Sequence, residues 1–452
     1  PPLPSPPPSP PPPTTSLPFP PSPSSPPYPL PSTLPPPPPS PIPLLPPSPP
    51  PPQSVAISAN ARCPLVYAAN FTDSSPPHPC AIGLIGALGD SLTVATNVES
   101  DAPFQITQTP EWPGMAWSIG SFVRDNSCDE GKKSCGNWPF TESCRNNGQC
   151  DEPKTKKCHT GTDCADCRNC PDARVPALRT LPNMLEESCG ARVPGASGNP
   201  QALPANFAKA GAVAKDAPAQ AQAFVDHTRQ HSAPVVWKLV TVLIGGNNLC
   251  SVCDDADGNS VAKYERYMRE VFQILKAVPR LIVNVVLHLD YTQLADVDWG
   301  AGRNTFCDGV LKLACECMGG WASATERATA ISYINEYNAV LEALAVEFNG
   351  EQHAGARGEG TTFIVQPFAR QTLISLPELV SYDCFHPSAR GHELLARGLW
   401  NNLMQPAGAK ATSISESDDT VCPTPDTQIT PPLPLPQPPS PPPPLPPTPA
   451  PP

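Results

Sequence analysis

The 452-residue chain has no run of 18 apolar residues, which excludes a membrane-spanning helix. It has no basic run either. Its 29 Lys and Arg are outnumbered by 41 Asp and Glu, for a formal net charge of -12. That balance argues against nucleic acid as a partner and against electrostatic docking to anionic membranes, though not against lipid substrates. The first residue is Pro1 rather than Met, which leaves a cleaved signal and a missing start both open.

Proline and cysteine are what the chain has in excess. Residues 1–52 hold 31 of the 70 prolines and residues 431–452 hold 15 more, so 24 remain in the 378 residues between. Segments 1–53 and 411–452 therefore read as disordered, polyproline II-like ends that cannot build a core. Eighteen cysteines, an even and clustered set, suit disulfides in an oxidising, extracellular or secreted setting better than a reduced cytosol. The sequon Asn70-Phe71-Thr72 accords with that setting.

Between the ends, short apolar runs alternate with helical patterns. Ala81–Leu88, Leu239–Ile244, Leu281–Leu289 and Thr362–Gln366 read as buried strands. Val261–Ala277, Ser323–Phe348 and Leu394–Met404 read as helices, and Ser323 with Glu326 has capping-box spacing. This alternation predicts an α/β domain with a mainly parallel sheet covered on both faces. Ligands would then bind beyond the carboxyl ends of the strands. Residues 124–175 break the pattern with eight cysteines and little apolar periodicity. They read as a small inserted module held by bridges or metal rather than by a core.

Two short motifs carry the chemistry. Gly89-Asp90-Ser91-Leu92 follows the first strand, and Asp383-Cys384-Phe385-His386 lies near the end of the domain. A serine hydroxyl needs a base to become a nucleophile, a histidine can be that base, and a carboxylate can orient the imidazole. Ser91, His386 and Asp383 supply the three groups. The tetrahedral oxyanion also needs donors, for which the candidates are the Ser91 amide, an amide within Ser118-Ile119-Gly120-Ser121, and the Asn247 side chain. Taken alone, Gly-Asp-Ser could be a turn with a helix cap. His392 and His288 read as structural or core histidines. Cys384 reads as a buried or paired cysteine, and Cys250/Cys253 with Cys315/Cys317 as bridges near the site rather than zinc ligands.

These motifs and their flanks resemble the GDSL or SGNH hydrolases, and within them the animal-type phospholipase B-like branch. The matching stretches are Ala87–Thr93, Trp117-Ser118-Ile119-Gly120, Thr180-Leu181-Pro182-Asn183, Ile244-Gly245-Gly246-Asn247, Val365-Gln366-Pro367-Phe368 and Asp383–His386, in family order over roughly 60–410. The resemblance implies a three-layer α/β/α sandwich with a flavodoxin-like sheet. It also implies Ser91 as nucleophile, His386 as base, Asp383 as its orienter, Gly120 and Asn247 at the oxyanion, and no metal or organic cofactor for catalysis. Asn248 stands where the family has Asp, and Gly120-Ser121-Phe122 where it has Gly-Gly-Asp, so Gly120 or Ser121 is the backbone donor. No Gly-x-Ser-x-Gly elbow occurs, which disfavours the ordinary α/β-hydrolase fold.

The insert resembles small Notch-type Cys-rich repeats, in which Asp151, Asp163 and Asp166 would offer hard oxygens to one calcium. A plain disulfide knot is the alternative. The proline tracts resemble hydroxyproline-bearing glycoprotein segments of plant and green-algal walls, which suggests extracellular-matrix association. The expected function is a secreted esterase or lipase acting on (lyso)phospholipids or glycerolipids through an acyl-Ser91 intermediate. The alternatives are a cell-wall polysaccharide acetyl esterase and a catalytically decayed matrix-binding protein.

Overall fold

The structure, a computed structural model, describes residues 55–57, 63–66, 77–98, 111, 115–120, 179–190, 205–232, 235–300, 303–319, 321–352, 360–374 and 376–429. The Pro-rich ends, the sequon at Asn70 and the insert with Asp151, Asp163 and Asp166 lie outside these residues.

Four strands form one parallel sheet: β2 (Ile82–Gly89), β3 (Trp237–Leu243), β4 (Leu281–Val286) and β5 (Thr361–Gln366), in that spatial order. On the free side of β2, residues 205–209 run parallel to it through Ala87 N–H to the Ala205 carbonyl (3.0 Å) and Phe207 N–H to the Ala87 carbonyl (2.9 Å). With that segment as a rudimentary edge strand, the order from edge to edge is 2-1-3-4-5 in chain sequence, the flavodoxin-like order. The strands are buried along nearly their whole length, which is why each reads as a continuous apolar run rather than an alternation.

The crossovers place the helices. From residues 205–209 through β3 and β4 to β5 the chain steps in one direction, and right-handed crossovers then put the long helices of those connections on one face. Helices α3 (Ala217–His231), α5 (Val261–Leu275) and α7 (Ala324–Gln352) pack side by side there. Phe224 of α3 lies against Gly86, and Phe272 of α5 stacks on Phe363 of β5 at 4.4 Å. Helices α2 (Leu181–Cys189) and α8 (Ala389–Met404) pack against each other as the second layer, with α8 reaching β5. The result is an α/β/α arrangement. Three short elements complete it in chain order: α1 (Ser91–Val94), α4 (Gly246–Cys250) and α6 (Asn304–Ala314).

Several boundaries differ from expectation. The β4 strand stops at Val286, because His288 turns its amide to Asn338 Oδ1 of α7 at 2.7 Å. His288 therefore lies past the strand rather than in it. Helix α8 starts at Ala389, five residues early, because Ser388 Oγ accepts the Gly391 N–H and caps it. The capping box holds: Ser323 N–H donates to Glu326 Oε2 (2.7 Å) and Glu326 N–H to Ser323 Oγ (3.2 Å).

The largest correction concerns the tail expected from 411. Residues through 429 fold onto the domain. β6 (Thr420–Cys422) pairs antiparallel with β1 (Val55–Ile57), Cys422 bridges Cys63, and Ile414 and Ile429 are buried. Side chains of α8 hold the segment, since Trp400 Nε1 donates to the Val421 carbonyl and Asn401 Nδ2 to the Asp419 carbonyl.

Candidate active site

The site is built on the carboxyl ends of β2, β3 and β5, around β2, where the strand order reverses. Gly89 ends β2 with no room for a side chain. A Cβ there would lie 2.5 Å from the Leu243 carbonyl oxygen and 2.4 Å from Thr93 Oγ1. Asp90 then caps α1, its Oδ1 accepting the Leu92 N–H at 3.0 Å. Ser91 is the first residue of that helix, so its amide N–H has no intrahelical partner. Its side chain is buried, 6% exposed.

Asp383 and His386 sit on a tight loop between β5 and α8. Val380 bridges Pro387, and Ser381 N–H donates to the His386 carbonyl at 2.7 Å. Within it, His386 Nδ1 meets Asp383 Oδ2 at 2.6 Å. The same oxygen accepts Asn97 Nδ2 at 2.6 Å, while Oδ1 accepts Ser381 Oγ (2.7 Å) and the amides of Phe385 (3.0 Å) and His386 (2.9 Å). Burial alone would raise the Asp383 carboxyl. The charge and hydrogen bond of His386, with the bonds from Ser381 and Asn97, outweigh it and hold the group well below the usual carboxylate range.

Asp90 is the second carboxyl here. It is buried, and burial pushes it up to about 6 against the pull of the Leu92 amide, the His386 charge and the Gly246 amide. Its Oδ2 lies beneath Gly246 and has no hydrogen-bond partner among the described residues.

The expected oxyanion groups have different fates. Gly245 (φ 126°) turns the chain after β3, and a Cβ there would lie 2.9 Å from Tyr264 and 3.0 Å from His288. Asn247 follows on α4. Its Nδ2 donates to the Ala212 carbonyl at 2.8 Å, which fixes the amide and leaves its second N–H. Asn248, the departure from the family pattern, accepts the Ala214 amide and donates to Asn259 Oδ1, both at 2.8 Å, so it braces the turn. The Gly120 amide, expected to face the oxyanion, instead donates to the Ala116 carbonyl at 2.6 Å. The turn that Trp117 makes against α1 turns this N–H inward; Trp117 Nε1 donates to the Leu92 carbonyl at 3.1 Å. Ser121, the other backbone candidate, lies outside the described residues.

His392 receives the Trp117 amide on Nδ1 (3.4 Å), and burial, then the nearby His386 charge, lowers its pKa to about 3. His288 sits between Tyr264 and Tyr291 (3.3 Å to each hydroxyl), lowered by burial to about 4. Both are neutral packing histidines. Cys250 bridges Cys315 and Cys253 bridges Cys317, as expected of cysteines near the site. Cys384 bridges Cys307 of α6. Asn97 and Ser381 went unnoticed in the sequence; an asparagine at φ 58° leaves no motif to find.

A parallel α/β domain with a Gly-Asp-Ser turn after its first strand and an Asp–His pair on the last loop points to a class, the acyl hydrolases. The chain belongs to the GDSL-like lipase/acylhydrolase family, whose model matches residues 85–399. Membership places the domain among the carboxylic ester hydrolases. It is similar to the membrane-associated phospholipase B1 of Rattus norvegicus, 28% identical over 367 residues covering 77% of this chain and 21% of the relative. The Homo sapiens protein of that name is 28% identical over 370 residues, with 77% and 21% covered. The chain thus spans about a fifth of the length of the curated relatives it matches. Among solved structures, an extracellular lipase from Streptomyces rimosus is similar at 15% identity and a TM-score of 0.29, over 68% of this chain and 94% of that one.

Proposed function

We propose that the domain hydrolyses acyl esters of (lyso)phospholipids or related glycerolipids through an acyl-Ser91 intermediate, outside the cell. The observation that carries this reading is the 2.6 Å contact of His386 Nδ1 with Asp383. It fixes the tautomer that leaves Nε2 free to take a proton. Ser91 Oγ attacks the ester carbonyl as His386 removes its proton. The Ser91 amide and the Asn247 side chain face the developing oxyanion. His386 then protonates the leaving alkoxide, and water, activated by the same imidazole, releases the acid.

The phospholipase B1 name of the relatives supports the lipid class, and five disulfides among the described residues support the oxidising compartment. Among the described residues, no helix is long and apolar enough to cross a membrane.

The test is reaction with a fluorophosphonate followed by mass spectrometry. A single adduct on Ser91, lost in His386→Ala, is expected, together with a loss of at least ~10³-fold in short-ester hydrolysis in Ser91→Ala. A folded protein that takes no adduct would defeat the reading. Preference for acetylated polysaccharide over phospholipid would move the substrate to the wall.

A further inference from the structure

We propose that Asn97 is a positioning residue for acyl transfer. Its side-chain amide ties the Asp383 oxygen that holds His386 to the turn that carries Ser91, and so sets the lower pH limit of activity. The proposal rests on Ser91 and His386 being nucleophile and base.

Connectivity is the first argument. Helix α1 is a single turn that begins at Ser91, and the Ser91 carbonyl accepts the amides of Ala95 and of Thr96, the latter at 3.1 Å. Asn97 follows directly, so its backbone is fixed relative to the nucleophile. Its Nδ2 donates to Asp383 Oδ2 at 2.6 Å, the same oxygen that meets His386 Nδ1 at 2.6 Å. One amide thus joins the serine turn to the base loop.

The choice of residue is the second. Asn97 is 2% exposed and has φ 58°. Glycine, asparagine and aspartate enter that left-handed conformation most readily. Of the three, asparagine alone carries a side-chain N–H. The position therefore meets two demands at once, a backbone turn and a buried donor. Backbone held in a sparsely populated conformation beside reacting groups points to a functional constraint.

Electrostatics is the third. An N–H donated to Oδ2 stabilises the carboxylate charge, so that oxygen pulls less strongly on a proton at Nδ1. Without the amide, Oδ2 would hold a protonated His386 more tightly, and the base would be released only at higher pH. The other charged and titratable neighbours stay in place when residue 97 is changed. Asp90 on the β2–α1 turn and His392 of α8 both feel the His386 charge. Arg303 at the start of α6 donates to the Ser381 carbonyl, and Glu111 bridges Thr96.

The full chain is assayed with p-nitrophenyl acetate across the range in which histidine titrates. Asn97→Gly keeps the backbone turn and removes the donor. The acid limb of its kcat/KM profile is expected to move up by about half a pH unit or more, with plateau kcat about tenfold lower and KM little changed. Asn97→Asp keeps the shape and sets a second carboxyl against Asp383. Once their shared proton leaves, two negative charges face the imidazole, and the limb should move up by about one unit or more. A contact that served stability alone would lower Tm and leave the limb where it is. If Asn97→Gly does not fold, Asn97→Asp decides. Variants that fold, label at Ser91 with a fluorophosphonate and keep the wild-type limb overturn the assignment alone. If the wild type neither cleaves the ester nor takes the label, the hydrolase reading falls and this assignment with it.

Discussion

Asp383 divides its two oxygens between separate tasks. Oδ1 ties down its own loop through Ser381 and two amides, while Oδ2 holds the His386 imidazole together with Asn97. Asp90 is its electrostatic opposite, a buried carboxyl with one oxygen unpartnered among the described residues. Burial raises Asp90 to about 6, so the fold binds that proton more tightly than the unfolded chain does. Its contribution to stability is therefore greatest below pH ~4 and is lost as pH rises through about 6. Asp90→Asn keeps a helix-capping side chain but cannot ionise. Relative to wild type, its stability should improve between pH 4 and pH 7 by on the order of 2–3 kcal/mol. Thermal unfolding of both proteins across that range checks this, and a gap that does not widen with pH refutes it.

At the scale of elements, the 380–388 loop is held by covalent means as well as by hydrogen bonds. Cys384 has φ 61° between Asp383 and His386, a left-handed conformation that costs a non-glycine residue roughly 1–2 kcal/mol. The bridge to Cys307 anchors this residue to α6, and Arg303 at the start of α6 donates to the Ser381 carbonyl at 3.0 Å. Helix α6 thus acts as an outside brace for the Asp–His pair. Cys307→Ser should cut kcat on a short ester about ten- to a hundredfold while KM changes much less, because the imidazole is displaced rather than removed. Unchanged kcat with a lowered Tm would show that hydrogen bonds alone align the loop. The Asp-x-x-His spacing was readable in the sequence as one turn with two functional groups. The partner of its central cysteine was not, since Cys307 is 77 residues away and pairing depends on where α6 lands.

At the scale of the molecule, the chain closes on itself. β1 and β6 pair, and Cys63–Cys422 links positions 359 residues apart. Neither strand touches the site, so this clasp should matter to stability and not to chemistry. Cys63→Ser is expected to cost ~2–5 kcal/mol, seen as a lower Tm, with the rate of Ser91 labelling by a fluorophosphonate unchanged at 25 °C. Slower labelling would show that the clasp reaches the catalytic rim.

The four strands, helices α5, α7 and α8 and the motifs bearing Ser91, Asn247, Asp383 and His386 were legible along the chain because they rest on short-range signals, whereas α2, α3 and α6 were not foreseen. Buried parallel strands are continuous apolar runs, helices show 3.6-residue periodicity and caps, and a strand-end glycine marks a turn. The tertiary structure alone decided what depends on residues far apart. Asn97 joins Asp383 across 286 positions, Cys384 pairs with Cys307 across 77, and residues 411–429 fold onto α8. None of these leaves a local pattern. Each follows from how the crossovers stack the layers, and a polar side chain buried by that stacking must find whichever partner the packing brings to it.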